Sequence, residues 1–349
     1  MRKKDSQDVL RKRVVIQSLI FLGIVLFFVF IALHFTFSSG LTQYVERNEF
    51  MFGTIVRLVV ASEKRDPRII MDAMVREMRR IERKFNPYVE DSIIYRINHA
   101  GGQWVEVDEE TIFVLKKALY YSKKTGGAFD PVLGRLIVLW GFNDINASKH
   151  VPSDEELQAA LKQSGWVKLE ISGRRVRVNG GAWIDLGGIV KGYAVDQAVR
   201  MAKDMDDTTT GFVDAGGDIG IIGPKFGRYP WKIGIRDPRG GQDDIVGVIY
   251  LSNGAVATSG DYERYFEENG VRYHHILDPK TGYPARKAIS VTVIGEKLVD
   301  ADALSTAIFV LGWGPVIEGF EADGYQVMLI DTEGVIHETQ GFKYFKKSR

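Results

Sequence analysis

The segment from Val14 to Phe37 constrains the chain most strongly, because it contains no Asp, Glu, Lys or Arg. As a helix it would span roughly 36 Å at about 1.5 Å per residue, enough to cross the ~30 Å hydrocarbon core of a bilayer. Lys and Arg are concentrated before it, whereas no charged residue follows it until Glu46. By the positive-inside rule, this pattern predicts one helix spanning the cytoplasmic membrane, with the N-terminus inside and the remainder outside.

Four regions are therefore predicted along the chain. Residues 1–13 form a basic cytoplasmic tail, 14–37 the membrane anchor, 38–47 a linker and 48–345 an extracytoplasmic domain. A cleaved signal peptide is the competing interpretation, but its apolar core would be shorter, and residues 36–38 are a poor small-x-small cleavage site. The sequence favours the uncleaved anchor.

Composition excludes several classes of chemistry. The chain has no cysteine, which removes disulfides, thiolate metal ligands, a cysteine nucleophile and lipid attachment through cysteine. The formal net charge is +1 and the basic residues are dispersed, so no nucleic-acid footprint is present. About 300 residues remain beyond the anchor, enough for one large domain or two closely packed ones. A small ligand and another protein are the expected partners.

The order of predicted elements favours an α+β fold over a doubly wound sheet, because strands follow one another in meanders with helices inserted between them. A strand is expected from Asn48 to Ala61. Apolar spacing and capping signals predict helices at Pro67–Phe85, Asp108–Lys124, Ser153–Gln163, Val190–Lys203, Ala301–Leu311 and Trp313–Ala322. Further strands are predicted at Trp166–Ile171, Arg175–Val178, Gly211–Val213, Trp231–Ile235, Ile245–Leu251, Gly254–Thr258, Ile289–Ile294 and Gln326–Asp331.

The run from His274 to Pro284 combines two histidines, a carboxylate and turn-forming residues. A single histidine is more often structural, but an adjacent pair leading into Asp-Pro-x-Thr-Gly favours a function, and neutral imidazole is the usual proton acceptor near neutral pH. Asp302 and Thr306 lie four apart on a predicted helix and so point the same way. A carboxylate with a hydroxyl suits a hard cation such as Mg²⁺. The pattern indicates an enzyme.

Glycine-rich loops supply further candidates. Gly187 and Gly188 stand between a predicted strand and a helix, where backbone N–H groups can hold an anion and Lys191 can add a charge; a merely tight connection is an equal alternative. Residues 213–219 also contain a glycine pair, here flanked by acids, and it too could either bind an anion or form only a tight connection. Residues 125–142 combine glycines, an acid and aromatic residues, a composition suited to binding a flat ring and its polar edge. The alternative there is a glycine-rich turn beside a buried Trp.

Taken in order, these segments resemble the ApbE family of FAD:protein FMN transferases, from about Phe50 to Gly312. Eight motifs in register carry the resemblance: Phe52-Gly53-Thr54, Tyr88 with Asp91-Ser92, Gly127-Ala128-Phe129-Asp130, Trp140-Gly141-Phe142, Asp185 to Lys191, Gly216-Gly217, Thr258-Ser259-Gly260-Asp261-Tyr262, and His275 to Thr306. The resemblance implies an ApbE-like domain of mixed and antiparallel sheets with inserted helices.

The resemblance also implies a reaction. FAD is cleaved at its pyrophosphate, AMP leaves, and FMN becomes esterified to a Thr or Ser hydroxyl of an acceptor flavoprotein in a membrane or extracytoplasmic electron-transfer complex. By position, the FAD contacts would be Met51 or Phe52, Tyr88, Ala128, Phe129, Asp130, Asp185, Lys191 and Ile276. The Gly188 carbonyl, Asp302 and Thr306 would bind Mg²⁺, with Ser305 nearby, and His275 is the candidate base.

Two departures from the family pattern bear on these assignments. Ser305 stands where some relatives carry a second carboxylate, and an extra residue separates Met51 from Gly53, which leaves the choice between Met51 and Phe52 open. An FAD pyrophosphatase, in which water replaces the acceptor hydroxyl, is a rival hypothesis. A membrane-anchored flavin-binding protein without turnover is a second rival.

Overall fold

The computed structural model describes residues 43–144, 146–241 and 243–346. The predicted tail and membrane anchor, residues 1–37, lie outside the described residues. Across the part that is described, no helix combines the length and the apolar character needed to cross a membrane.

A large antiparallel sheet organises the described domain. In chain order, the strands are β1 (Val45–Met51), β2 (Thr54–Ala61), β3 (Val105–Glu106), β4 (Leu169–Ser172), β5 (Arg175–Val178), β6 (Thr210–Ala215), β7 (Ile219–Gly223), β8 (Trp231–Arg236), β9 (Ile245–Leu251), β10 (Ala255–Gly260), β11 (Tyr265–Glu268), β12 (Val271–His274), β13 (Ser290–Gly295), β14 (Gln326–Ile330), β15 (Ile336–Glu338) and β16 (Phe345–Lys346). The large sheet has the spatial order β1-β2-β6-β7-β10-β13-β14-β15. Smaller sheets are formed by β11-β12, β16-β9-β8 and β3-β5-β4.

Helices cover the large sheet and enclose the main apolar core. They are α1 (Pro67–Phe85), α2 (Ile93–Asn98), α3 (Glu109–Lys124), α4 (Gly134–Leu139), α5 (Asp154–Lys162), α6 (Val190–Met205), α7 (Leu298–Leu311) and α8 (Val316–Ala322). Helix α6 packs against α1 and α7, and α7 lies on β10 and β13. Almost every residue of α7 is buried, including Asp302 and Ser305. Polar side chains at such positions need partners or a function. The α+β prediction is confirmed.

Several element boundaries differ from the sequence-based expectation. The single strand predicted from Asn48 to Ala61 is a hairpin of β1 and β2, because Phe52 and Gly53 adopt φ values of +54° and +70° and reverse the chain. β1 begins at Val45, three residues before the predicted start of the strand at Asn48. Residues 166–168 form a 3-10 turn rather than a strand. The helix predicted from Trp313 starts at Val316, after Pro315.

Helices α6 and α7 are fixed to each other by two reciprocal contacts. The Asp196 carboxylate on α6 accepts the backbone N–H groups of Leu298 and Val299 at 2.9 Å each, which caps the N-terminus of α7. In return, Asp302 Oδ2 on α7 accepts the backbone N–H of Gly192 on α6 at 2.9 Å. The position of Asp302 relative to the start of α6 is therefore set by hydrogen bonds at both helix ends.

Gly192 is required at this crossing because a side chain has no room there. A Cβ at Gly192 would lie 2.6 Å from the Leu298 carbonyl oxygen and 2.9 Å from Asp302 Cβ. Gly192→Ala is expected to lower the free energy of unfolding by about 1–3 kcal/mol through overpacking, as measured by urea denaturation. The matched control is Gly319→Ala on α8, where a Cβ would meet nothing within 4 Å. The free energy of unfolding of Gly319→Ala should rise by up to about 1 kcal/mol, because alanine has the higher helix propensity. Equal free energies of unfolding for the two variants would contradict overpacking at Gly192.

Candidate active site

The turn before α6 holds a carboxylate that links two parts of the site. Asp185 Oδ1 accepts the backbone N–H of Gly187 at 2.8 Å. The Tyr88 hydroxyl donates to Asp185 Oδ2 at 2.9 Å. Burial, followed by the charge of Asp185, raises the pKa of Tyr88, so the phenol stays protonated and donating at neutral pH. The predicted site residues Tyr88 and Asp185 are thus in direct contact.

Lys191, in the first turn of α6, is surrounded by acids. Its Nζ forms an ion pair with Asp218 Oδ2. Burial favours a lower pKa of the Lys191 ammonium, but the carboxylates of Asp218 and Asp302 outweigh burial and raise that pKa. Burial and repulsion from Asp218 raise the pKa of Asp302. Two buried carboxylates that share one ammonium leave an excess of negative charge, which an added cation would neutralise.

Hydroxyl groups of α7 meet the end of β10 beside this acidic pair. Ser259 Oγ lies 2.9 Å from Ser305 Oγ and 3.5 Å from Thr306 Oγ1. The Ser305 hydroxyl donates to the Asp302 carbonyl at 3.0 Å. Gly188 also approaches this helix closely, since a Cβ on it would lie 3.3 Å from Thr306 Oγ1. The structure thus brings the residues predicted to bind Mg²⁺ together, while their role as ligands stays a prediction.

His275 follows β12 and is half-buried. Its backbone N–H and its Nδ1 lie 3.0 Å and 3.2 Å from the Arg264 carbonyl oxygen. Because a carbonyl oxygen only accepts, Nδ1 carries the ring proton and Nε2 keeps its lone pair. Burial, and then the positive charge of Arg264, lowers the pKa of His275 well below its ordinary 6.5. The imidazole is therefore neutral at pH 7, with Nε2 available as a proton acceptor.

His274 has a different environment and a different role. It is 2 % exposed, its Nε2 lies 2.9 Å from the Ala285 carbonyl oxygen, and its Nδ1 accepts the Ile276 backbone N–H at 3.3 Å. Both ring nitrogens are engaged within the fold, and burial lowers the pKa of His274 to about 4. The ring contacts Phe309, whereas the ring of His275 contacts Phe142. His274 stabilises the segment that carries His275.

The loop from Ala128 to Asp130 is tightly packed. Ala128 and Phe129 are buried, and a Cβ on Gly188 would lie 3.2 Å from Phe129 Cε2. Both carboxylate oxygens of Asp130 accept backbone N–H groups, from Val132 at 2.8 Å and from Trp166 at 2.9 Å. Burial raises the pKa of Asp130 to about 6. Asp130 closes its own loop, and its predicted contact with FAD stays a prediction.

The structure separates the two candidates at the hairpin tip. Met51 is 1 % exposed and belongs to the main core. Phe52 is half-buried at the turn, and its backbone N–H donates to Glu82. Only Phe52 has surface to offer a ligand, so the structure favours Phe52 over Met51 as a FAD contact.

Two other residues singled out by sequence are buried. Trp140 is fully buried, and its indole N–H donates to the Gly282 carbonyl at 2.8 Å. The alternative interpretation, a buried Trp beside a glycine-containing turn, is therefore the correct one for Trp140. Ile276 is 6 % exposed, so any contact with FAD would involve a small part of its surface.

Sequence reasoning did not assign Asp218, Ser259 or Arg264 to the site. Asp218 stands after the glycine pair of residues 216–217, and Ser259 lies within one of the eight ApbE-like motifs, so both carried a signal. Arg264 carried none. Burial lowers the pKa of Arg264 although the Asp185 carboxylate opposes this, and the charge of Arg264 lowers the pKa of His275. The Arg264 guanidinium has no ion-pair partner among residues 43–144, 146–241 and 243–346.

No cluster of three or more His, Cys, Asp or Glu side chains in the described parts of the chain is arranged to hold a metal ion. The predicted Mg²⁺ set contains a single acidic side chain, Asp302, together with hydroxyls and a carbonyl. Oxygen donors of this mixed kind are compatible with Mg²⁺, which commonly keeps several waters and needs few carboxylates.

Comparison with known proteins identifies the family of this chain. A sequence model described as the ApbE family matches residues 52–329. The chain belongs to the ApbE family. Among curated ApbE relatives, the FAD:protein FMN transferase of Treponema pallidum is 35% identical over 294 residues, covering 76% of this chain and 78% of the relative. That of Vibrio cholerae is 32% identical over 286 residues, covering 81% and 84%.

Solved ApbE structures resemble most of the chain. The ApbE protein of Thermotoga maritima has a TM-score of 0.84 and 50% identity, and the match covers 88% of this chain and 100% of that chain. The flavin transferase ApbE of Vibrio cholerae has a TM-score of 0.75 and 30% identity, covering 85% and 96%. The sequence-based assignments to the ApbE family and to an enzyme are confirmed.

Proposed function

We propose that this ApbE-family enzyme transfers FMN from FAD to a Ser or Thr hydroxyl of an acceptor flavoprotein and releases AMP. A bond forms between the acceptor oxygen and the FMN phosphorus while the pyrophosphate bond to the AMP phosphate breaks. The proton of the acceptor hydroxyl moves to Nε2 of His275. The observation that carries the proposal is the placement of the His275 imidazole. Its Nδ1 contacts the Arg264 carbonyl oxygen, which leaves Nε2 as the proton acceptor. The charge of Lys191 contributes to the lowered pKa that keeps this imidazole neutral.

Mg²⁺ is part of the proposal. Asp302 and Thr306 would hold it with the Gly188 carbonyl, and Ser305 lies beside them. The fit rests on the buried Asp302 carboxylate, which faces repulsion from Asp218 that a cation would relieve. When bound, the metal would neutralise charge on the pyrophosphate.

Two cationic side chains, Lys191 and Arg264, have different environments in the proposed site. Lys191 is held by Asp218 and so keeps a fixed position at the start of α6. Arg264, whose guanidinium has no ion-pair partner in the described residues, is the cation left to meet substrate phosphate. A cation fixed by an ion pair and a second cation without one together suit the binding of a group that bears several negative charges.

We propose that the enzyme works outside the cytoplasmic membrane, anchored by residues 14–37 with its N-terminus in the cytoplasm. The support is the uncharged segment and its basic flank. The acceptor would then be a flavoprotein subunit of a membrane or extracytoplasmic electron-transfer complex.

One assay separates this function from its rivals. The full chain in detergent is incubated with FAD, Mg²⁺ and a candidate acceptor, and protein-bound flavin fluorescence in a denaturing gel is compared with AMP release. A transferase forms one AMP per attached FMN and stops when the acceptor hydroxyl is removed by Thr→Val substitution. AMP with free FMN, independent of acceptor, would establish a pyrophosphatase, and FAD binding without AMP would establish a flavin-binding protein.

A further inference from the structure

The connection between β7 and β8 displays aromatic and basic side chains together. Phe226 is 43% exposed and Tyr229 is 54% exposed. The Lys225 ammonium lies 5.6 Å from the Phe226 ring centroid, and the Arg228 guanidinium lies 5.6 Å from that of Tyr229. Residues 224–232, here named the aromatic loop, contain no Asp or Glu.

Hydrogen bonds hold the aromatic loop in one defined conformation. Two backbone hydrogen bonds between Lys225 and Tyr229, of 2.7 Å and 2.9 Å, close the turn. Phe226 adopts a φ of +53°, a conformation that bulky residues rarely take. Its backbone N–H donates to the Tyr44 hydroxyl at 2.8 Å. A large apolar ring is therefore held at a solvent-exposed turn, in a backbone conformation that favours glycine.

Tyr44 joins the aromatic loop to the N-terminal part of the chain. Its ring packs edge-on against Phe226 and Trp231, with centroid separations of 5.4 Å in both cases. Tyr44 stands seven residues after Phe37, where the predicted anchor ends. Seven residues reach at most about 25 Å when fully extended. The covalent link therefore limits how far Tyr44, which contacts the aromatic loop, can lie from the end of the proposed membrane anchor.

We propose that the aromatic loop docks on the anionic headgroup surface of the membrane that holds the anchor. Tyr and Trp rings favour the membrane interface, and Lys225, Arg228 and Lys232 would meet lipid phosphates. These three cations have no ion-pair partner among the described residues, so no carboxylate of the described domain competes with the lipid. Docking would set the orientation of the catalytic domain on the membrane. The inference rests on the proposed anchor.

The absence of cysteine allows a direct test. The full chain with Tyr229→Cys, labelled with a nitroxide, is placed in nanodiscs of phosphatidylcholine alone or mixed with phosphatidylglycerol. With the anionic lipid, the label should become less accessible to a water-soluble nickel reagent, and an immobilised spectral component should grow. The matched label at Lys123→Cys, on α3, should not respond. Equal accessibility of the Tyr229→Cys label in both lipids would overturn the proposal.

Charge substitutions test the role of the cations. In the Tyr229→Cys background, Lys225→Gln with Arg228→Gln should reduce the ratio of docked to free label about 25-fold, since each cation near an anionic surface contributes a factor of roughly five. Lys116→Gln with Lys123→Gln removes the same charge from α3 and should change nothing.

Controls in the same nanodiscs separate this inference from the proposed function. Flotation of the nanodiscs tests the anchor, and FMN transfer tests the enzyme. Retained flotation and transfer with no response of the Tyr229→Cys label to lipid would reject the docking proposal alone. Protection that appears only on addition of the acceptor would also reject it and would make the aromatic loop a protein-binding surface.

Discussion

Replacement of His275 by alanine is expected to slow FMN transfer roughly 10²- to 10⁴-fold, the usual span for loss of general acid–base catalysis, with FAD affinity largely retained. The imidazole Nδ1 is occupied by the Arg264 carbonyl, so the substitution removes the free Nε2 acceptor without exposing a buried charge. Single-turnover transfer to the acceptor and FAD binding by flavin fluorescence measure the two quantities separately.

Three comparisons sharpen the result for His275. His275→Gln can still donate to the Arg264 carbonyl but offers no base, so it should stay as slow as the alanine variant, and added imidazole should partly rescue His275→Ala. His274→Ala should be milder in rate and should mainly lower stability, because the His274 ring is buried and bonded to Ala285. Equal small losses in both alanine variants, or failure of His275→Ala to bind FAD, would make His275 a structural or ligand contact.

The pH dependence of kcat/KM also tests the assignment of His275 as the general base. The lowered pKa of His275 means that its neutral form persists well below pH 6.5. A base is lost only when it is protonated. With Mg²⁺ at a concentration that keeps Asp302 ionised, the acid limb of kcat/KM is therefore expected well below pH 6.5, and kcat/KM should be flat from there to neutral pH. A limb at or above pH 6.5 would assign the titration to another group.

Asp302→Asn is expected to lower FMN transfer by orders of magnitude, with partial recovery at high Mg²⁺, because it removes the one charge of the proposed hard-cation site. The asparagine oxygen can still accept the backbone N–H of Gly192, so the contact between α6 and α7 survives. Transfer rates over a Mg²⁺ titration test this. Undiminished wild-type activity after exhaustive chelation would contradict the Mg²⁺ proposal.

Thermal melting gives a readout of Asp302 that is independent of activity. The pKa of Asp302 is raised in the folded protein, so its ionisation opposes folding once the pH exceeds the unfolded-state pKa. Metal-free Asp302→Asn should therefore melt at a higher temperature than the wild type at pH 8, and the difference should shrink as the pH falls and Asp302 is protonated. Mg²⁺ should raise the Tm of the wild type and leave that of the variant nearly unchanged.

Long helices with local signals were predictable from sequence. Helix α1 has its predicted bounds, with apolar residues at regular helical spacing turned into the core. Asp108 caps α3 through Thr111 as expected, and the Ser153 capping box opens α5. These signals act within one turn of helix, so the identities of neighbouring residues suffice. Short elements such as α2, α4 and β7 offer too few residues for a period to be recognised.

In the candidate site, too, local motifs were predictable from sequence and long-range contacts were not. The residue types and local motifs around Asp185, His275 and Asp302 are visible in the chain, and they indicate the chemistry before any fold is known. The ion pair of Lys191 with Asp218, and the contact of His275 with the Arg264 carbonyl, are not visible there. Such contacts join residues distant in sequence, and they depend on which strands pair and on how α6 crosses α7.

The hairpin tip is the clearest case of this division. The family resemblance implies a FAD contact at Met51 or Phe52, and the sequence alone cannot choose between them, because both residues are apolar and an extra residue separates Met51 from Gly53. Which of the two is accessible depends on which side of the strand faces the core, and the packing of the β1–β2 hairpin against the rest of the domain buries Met51. Local chemistry is encoded by neighbouring residues, whereas burial is a property of the packed chain.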